Sequence, residues 1–238
     1  MIFYSNNFTF NDISSKDINI HLVSEDSGIL NDYGIPFNIE NDTNEVTLSF
    51  CYAQNGSPIE WTYEATVDFL SWIITEDYCE FISEDNEDII YFLKGVGYKK
   101  RFANNMTGII DVTFQVLTPY GYKHYIREVS SGERRFEIYN FSNIDNAYKP
   151  VIVLRDITTN YIRLTNTTTN KEPLLIENLT KGEVIYIDNE RGIIMDSSNE
   201  NRLNDSNRSW VELCKGANIF SVEGTCNIRI EAYYPMLV

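Results

Sequence analysis

Two histidines, four cysteines and 35 carboxylates are the residues of this 238-residue chain that could do chemistry. A nucleophilic site needs a hydroxyl or thiol beside a base, and histidine is the usual base. Neither His21 nor His124 is matched by a nucleophile in a recognisable turn such as G-x-S-x-G. Cys51, Cys79, Cys214 and Cys226 form no C-x-x-C pair, and two histidines do little to complete the ligand sets that zinc prefers. The sequence carries no G-x-G-x-x-G or Walker loop to cradle phosphate. Glycoside hydrolysis needs one particular pair of acids, and nothing singles out a pair among 35. Asp26, Asp32, Asp42 and Glu45 lack the alternating ligands, central glycine and closing glutamate of an EF-hand loop. The expectation is a protein that is not an enzyme and that takes no cofactor and no metal.

What remains is charge. Residues 17–93 carry eight Asp and nine Glu and not one Lys or Arg, a formal charge of −17 against a net −16 for the whole chain. Like charges gathered this way repel one another in the compact state and cost stability. The plain reading is a solvated acidic surface. The sharper one is a surface built not to hold a polyanion. Direct nucleic-acid binding needs clustered Lys and Arg to neutralise phosphates, and a sequence pI near 4.5 argues against it. Anionic membrane surfaces are disfavoured for the same reason. Tyr98-Lys99-Lys100-Arg101, directly after the acidic run, is the one basic cluster, and pairing with an acidic surface of another subunit explains Lys99, Lys100 and Arg101 at least as well as nucleic acid does.

The elements that must carry these charges are mostly strands. Aromatic residues are 13% of the chain, with 16 Tyr and 13 Phe, a bias toward β-structure and toward real cores. Ile2–Phe10 alternates, Asn11-Asp12 is a turn, and Ile18, Ile20 and Leu22 alternate again, with His21 on the opposite face. Residues 24–45 read as a long acidic arm with one short extended piece at Ile35–Ile39. Val46–Tyr52 is a strand. Glu60–Thr75 is a helix, with Val67, Leu70 and Ile74 spaced as an apolar stripe and Tyr63 and Trp72 adding to it. Tyr78–Ile82 and Ile89–Val96 form a hairpin with the acidic tip 83–88, and Gly95 and Gly97 suggest a bulge. Ile109–Leu117 and Tyr122–Ile126 follow. The turn Ser130–Glu133 separates an N-terminal domain, 1–133, from a C-terminal one, 134–238.

The second part is a series of short strands without helices: Arg135–Phe141, Val151–Leu154, Tyr161–Asn166, Leu174–Glu177, Val184–Asp188, Gly192–Met195, Trp210–Leu213, Ala217–Val222 and Cys226–Tyr234. That spacing implies a sandwich or barrel. Cys214 and Cys226 read as small buried side chains, not as a disulfide. The N-terminus lacks a signal peptide's basic start and apolar core, and no apolar run approaches a membrane span. A cytosol-like compartment with free thiols is therefore expected, without membrane insertion.

The order of elements resembles the distal tail proteins of long-tailed bacteriophages and related tail-like particles. The opening FTFNDISSKDINIHLVSED, the acidic arm, the helix containing Trp61 and Trp72, the charged hairpin and the closing LTPYGY match in layout. The second half is more specific: Ala147-Tyr148-Lys149-Pro150, Tyr161–Asn166, Gly182–Asp188, and Trp210 followed by Leu213, Gly216-x-Asn218 and a last hairpin through Gly224. The resemblance implies a mainly β fold, with a β-sandwich or barrel-like N-terminal ring domain bearing one helix and a galectin-like C-terminal β-sandwich. It implies a homo-hexamer at the virion tail tip, assembled in the host cytoplasm. The ring would join the tail tube protein to tail-tip or tail-associated proteins, and receptor-binding protein could attach to the outer domain. Trp210, Gly216, Asn218 and Gly224 would be structural. No catalytic residue is carried over, and sugar binding is not implied.

On that reading DNA passes through the ring without stable binding. Some of Glu25, Asp26, Asp32, Glu84, Asp85, Glu87 and Asp88 would face the lumen or a subunit contact, the alternative being the outer rim. A carbohydrate-binding module, with Trp210 stacking on a sugar, is the competing function, although an alternating strand would bury Trp210. A glycosidase is a third and weaker one.

Overall fold

A computed structural model describes residues 4–24, 44–54, 57–102 and 108–237. The chain divides into two compact units, 1–122 with 237–238, and 123–236. The division falls at residue 122 instead of 133 because the strand Gly121–Val129 is laid into the second unit's sheet.

The first unit is one continuous sheet. Its strands are β1 (Tyr4–Asn6), β2 (Phe8–Phe10), β3 (Ile13–Ser14), β4 (Ile20–Ser24), β5 (Glu45–Gln54), β6 (Ser57–Pro58), β7 (Cys79–Ser83), β8 (Tyr91–Phe102) and β9 (Gly108–Val116), in the order β1-β4-β5-β9-β8-β7-β2-β3 with β6 on β5. Phe8, near one end, stacks on Phe81 of its neighbour and also reaches Phe50 of β5, with ring centroids 5.2 Å apart. Phe10 reaches Phe114 of β9. Contacts between strands so far apart in the order mean that the sheet curls on itself, barrel-like, around a core of rings. Asn11 and Asp12 both take positive φ to make the expected tight turn.

The helix α1 (Tyr63–Ile73) is shorter than Glu60–Thr75. Thr62 caps it by accepting from Ala65 N at 3.0 Å. Its buried face is also different from the expected stripe. Thr66, Phe69 and Ile73 are buried, while Tyr63, Val67 and Ile74 are exposed. The helix is apolar on more than one side, so spacing alone did not fix the inner face. The outcome follows from the ring core: Phe69 packs on Phe50 and Trp61, and Trp72 on Phe8. The helix end lies against Gly95, where a Cβ would overlap the Ile73 carbonyl oxygen. The β8 bulge falls between Gly95 and Gly97, as their spacing suggested. Ile18 belongs to a 3-10 turn, Ser15–Ile18, and not to the strand that follows it.

The second unit is a two-sheet sandwich. One sheet runs β10 (Gly121–Val129), β18 (Asn227–Met236), β12 (Val151–Arg155), β15 (Ile185–Asp188), β16 (Ile193–Asp196). The other runs β11 (Arg135–Asn140), β17 (Gly216–Glu223), β13 (Ile162–Asn166), β14 (Leu174–Ile176). Alternate residues of both sheets, among them Ile152, Leu154, Ile187, Ile230, Ile138, Leu164 and Phe220, meet in one core. The segment 210–213 is not a strand. Leu213 makes an isolated bridge with Tyr148, and the rest is held by side chains described below. Cys226 is buried as expected, but Cys214 is exposed. No helix among the described residues is long and apolar enough to cross a membrane.

Candidate functional site

The acidic hairpin tip is an ordered 3-10 turn, Glu84–Asn86, between β7 and β8. Ser83 starts it by accepting from Asp85 N. Glu84 accepts from the Asn7 amide at 2.7 Å and forms an ion pair with Lys16. The Lys16 hydrogen bond, then that of Asn7, holds the Glu84 carboxyl below its usual range, and Glu84 in turn raises Lys16. The last base before the acidic run thus closes on its densest cluster, tying the β2 region to the hairpin. Asp85, Glu87 and Asp88 are exposed on the same turn. Glu25, Asp26 and Asp32 lie outside the described residues, as does Ile35–Ile39.

The basic cluster sits at the far end of β8, where alternation splits it. Arg101 turns to the sheet's polar face. Its Nε donates to Asp111 Oδ2 at 2.6 Å and its Nη2 to Ser49 Oγ at 3.2 Å, while Ser49 donates to Asp111 Oδ1 at 2.7 Å. Lys99 is exposed and registers with Asp111 across the strands. Lys100 points to the other face, where its ammonium donates to Thr66 Oγ1 of α1 at 3.3 Å. Arg101 therefore serves its own sheet, and Lys99 and Lys100 are the members left near the surface. The polar face extends over Thr47 and Thr113, which register directly, and over Glu45 and Gln115.

His21 registers with Cys51 across β4 and β5, and His124 is held by a carboxylate and a ring. His124 Nε2 lies 2.9 Å from Glu231 Oε1, its ring stacks on Tyr233 at 4.3 Å, and Glu231 also accepts from Arg229 at 3.1 Å. His21 is half-buried, its Nδ1 has no hydrogen-bond partner, and desolvation lowers its pKa.

The second unit puts its polar residues inside as pins. Asn218 is fully buried. Its Oδ1 accepts from Cys214 N at 2.9 Å and from Asn166 Nδ2 at 3.1 Å, and its Nδ2 donates to the Cys214 and Gly216 carbonyls. Gly216, at φ +85°, makes the turn that Asn218 fastens. Gly224, at φ +92°, turns β17 into β18 where a Cβ would overlap the Tyr161 carbonyl. Trp210 is half-buried, packing against the core with its indole on Gly192. Sequence reading missed Asn189, which is buried, donates to the Pro150 carbonyl at 2.6 Å and accepts from Val211 N at 2.8 Å. The available signal was Asp188-Asn189 at the end of a strand, since Asp and Asn close turns with their side chains.

Residues 120–232 match the family model of a phage tail C-terminal domain. The chain is 27% identical to the SPbeta prophage-derived uncharacterized protein YomH of Bacillus subtilis (strain 168), over the full length of both. The crystal structure of the SPP1 Dit (gp 19.1) protein superposes with a TM-score of 0.62 at 9% identity, covering 98% of this chain and all of that one. The fold is that of the SPP1 Dit protein. A chain of the phage P2 baseplate, in its activated conformation with Ca, also superposes, with a TM-score of 0.50 at 9% identity over 97% of this chain and 98% of that one. The SPP1 Dit fold thus spans both units, and the second carries a phage tail C-terminal domain.

Proposed function

We propose that this protein is the distal tail subunit of a phage tail tip or tail-like particle, forming a hexameric ring through its first unit. The ring joins the tail tube to tip proteins, and the second unit offers an attachment surface to receptor-binding protein. One observation carries this: a full-length superposition on SPP1 Dit, described as a hub of the adsorption apparatus in phages infecting Gram-positive hosts. A tail protein assembles in the host cytoplasm and ends in the virion.

Charge supports the passage of DNA through such a ring. Lys and Arg on the wall would hold the strand through its phosphates. Asp85, Glu87 and Asp88, exposed at the hairpin tip, supply the opposite sign. Native mass spectrometry of the purified chain tests the ring: a species of six times 27.6 kDa is expected. A chain that stays monomeric at high concentration speaks against it. Against the sugar-binding alternative, Trp210 is half-buried and packs on Gly192 and the core.

A further inference from the structure

The two flanks of α1 differ in kind. Successive helical residues turn by about 100°, so Tyr63, Val67, Leu70 and Ile74 share one flank, away from the buried Phe69 and Ile73. Tyr63 is 84% exposed. The same flank faces β8: Ile74 bridges to Gly95, and Lys100 reaches Thr66. Tyr98, two residues from Lys100 on the same face of β8, is 54% exposed. This flank is apolar, and Lys100 supplies its positive charge.

The opposite flank opens into an apolar cleft of about 240 Å³ between α1 and the β3–β4 segment. Ile13, Ile18, Ile20, Tyr52 and Trp72 line it, and Asp68 supplies its charge. Glu64, one helical turn earlier, is exposed on the same side. Large apolar groups left at a surface mark contact sites. Here two such groups carry opposite charge and lie on opposite sides of one helix.

We propose that the two flanks bind each other between copies of this chain: the Tyr63–Tyr98–Lys100 flank of one subunit seats on the Asp68 cleft of the next. The pairing rests on the ring reading above and names its contact. Two different surfaces joined head to tail generate a closed ring when the rotation between subunits permits. The acidic tip at Glu84–Asp88 takes no part in this contact.

Sedimentation velocity over a concentration range tests this with Asp68→Lys, Lys100→Glu and Tyr98→Ala. Like charges set against each other in a contact cost several kcal/mol, so each charge variant alone weakens association by about tenfold or more. Mixing Asp68→Lys with Lys100→Glu restores it, because each variant then offers the other one reversed and one native contact. Tyr98→Ala weakens association without changing charge. Protection of the Cys51 thiol confirms that each variant is folded. If the native chain associates and the variants do so equally well, the contact is wrong and the ring stands. If the mixture fails to recover, the head-to-tail pairing is wrong. A native chain that never associates overturns both.

Discussion

The first unit fills its interior with rings, Phe8, Phe10, Phe50, Phe69, Phe81 and Phe114, and buries few polar groups: Ser15, Thr66 and Ser83 among the described residues. The second fills its interior with branched aliphatics and buries Asn140, Asn166, Asp188, Asn189 and Asn218. Its turns are fastened from inside by side-chain amides. The first unit's polar chemistry stands at its surface instead, as the Lys16–Glu84 pair, the Arg101–Asp111–Ser49 set and the exposed carboxylates of the tip. A unit whose charge is at its surface can address neighbours, and a unit whose polar groups are spent on its own loops presents a fixed shape. The contrast fits an assembling part and a displayed part.

Two buried thiols report on the units separately. Burial pushes Cys51 in the first and Cys226 in the second up to about 11, so neither reacts readily while folded. Cys214 is exposed and reacts first. The largest expected effect is Phe114→Ala, which empties the middle of the ring core and costs about 3–5 kcal/mol. Cys51 labelling accelerates strongly, and Cys226 labelling moves far less, since each unit has its own core. Equal acceleration of both would erase the contrast. Asn218→Ala comes next, at about 3 kcal/mol, because it strands the Cys214 and Gly216 backbone groups and Asn166 without partners. There the Cys226 thiol responds and Cys51 stays protected.

Gly95→Ala is expected to cost about 2 kcal/mol through overlap with the Ile73 carbonyl, seen as a lower urea midpoint for the Cys51 signal. The smallest effect is electrostatic. Glu84 titrates lower folded than unfolded, so its contribution is present above the usual carboxylate range and fades as pH falls through the folded value. Lys16 titrates higher folded, so its contribution is present below the usual lysine value and fades as pH rises through the raised one. The pair therefore acts across the whole neutral range. Glu84→Gln should flatten the acid limb of the first unit's stability curve and leave that of the second unchanged. Identical acid limbs in the native and variant proteins would remove Glu84 from the account.

Much of the fold was legible because strand alternation is local. The strands β5, β9, β17 and β18 are each eight residues or longer and alternate over most of their length. The helix was legible too, but its inner face was not. Val67, Leu70 and Ile74 have good spacing, yet Phe69 and Ile73 win because the core they complete is built by β2, β5 and β9. The segment 210–213 alternates like a strand, but Asn189, Asn166 and Asn140 hold its backbone in place of a neighbouring strand. Gly216, Asn218 and Gly224 were visible as a pattern, with their reason supplied only by the turns they close. The union of Lys16 with Glu84 joins residues far apart in sequence, and no local rule could supply it.

Cryo-electron microscopy of purified tail particles is the most direct measure of the central claim. The account predicts six copies of this chain in a ring at the end of the tail tube, with carboxylates of the first unit along the channel. Particles whose tail end lacks the chain, or a channel wall lined with its Lys and Arg, would contradict it.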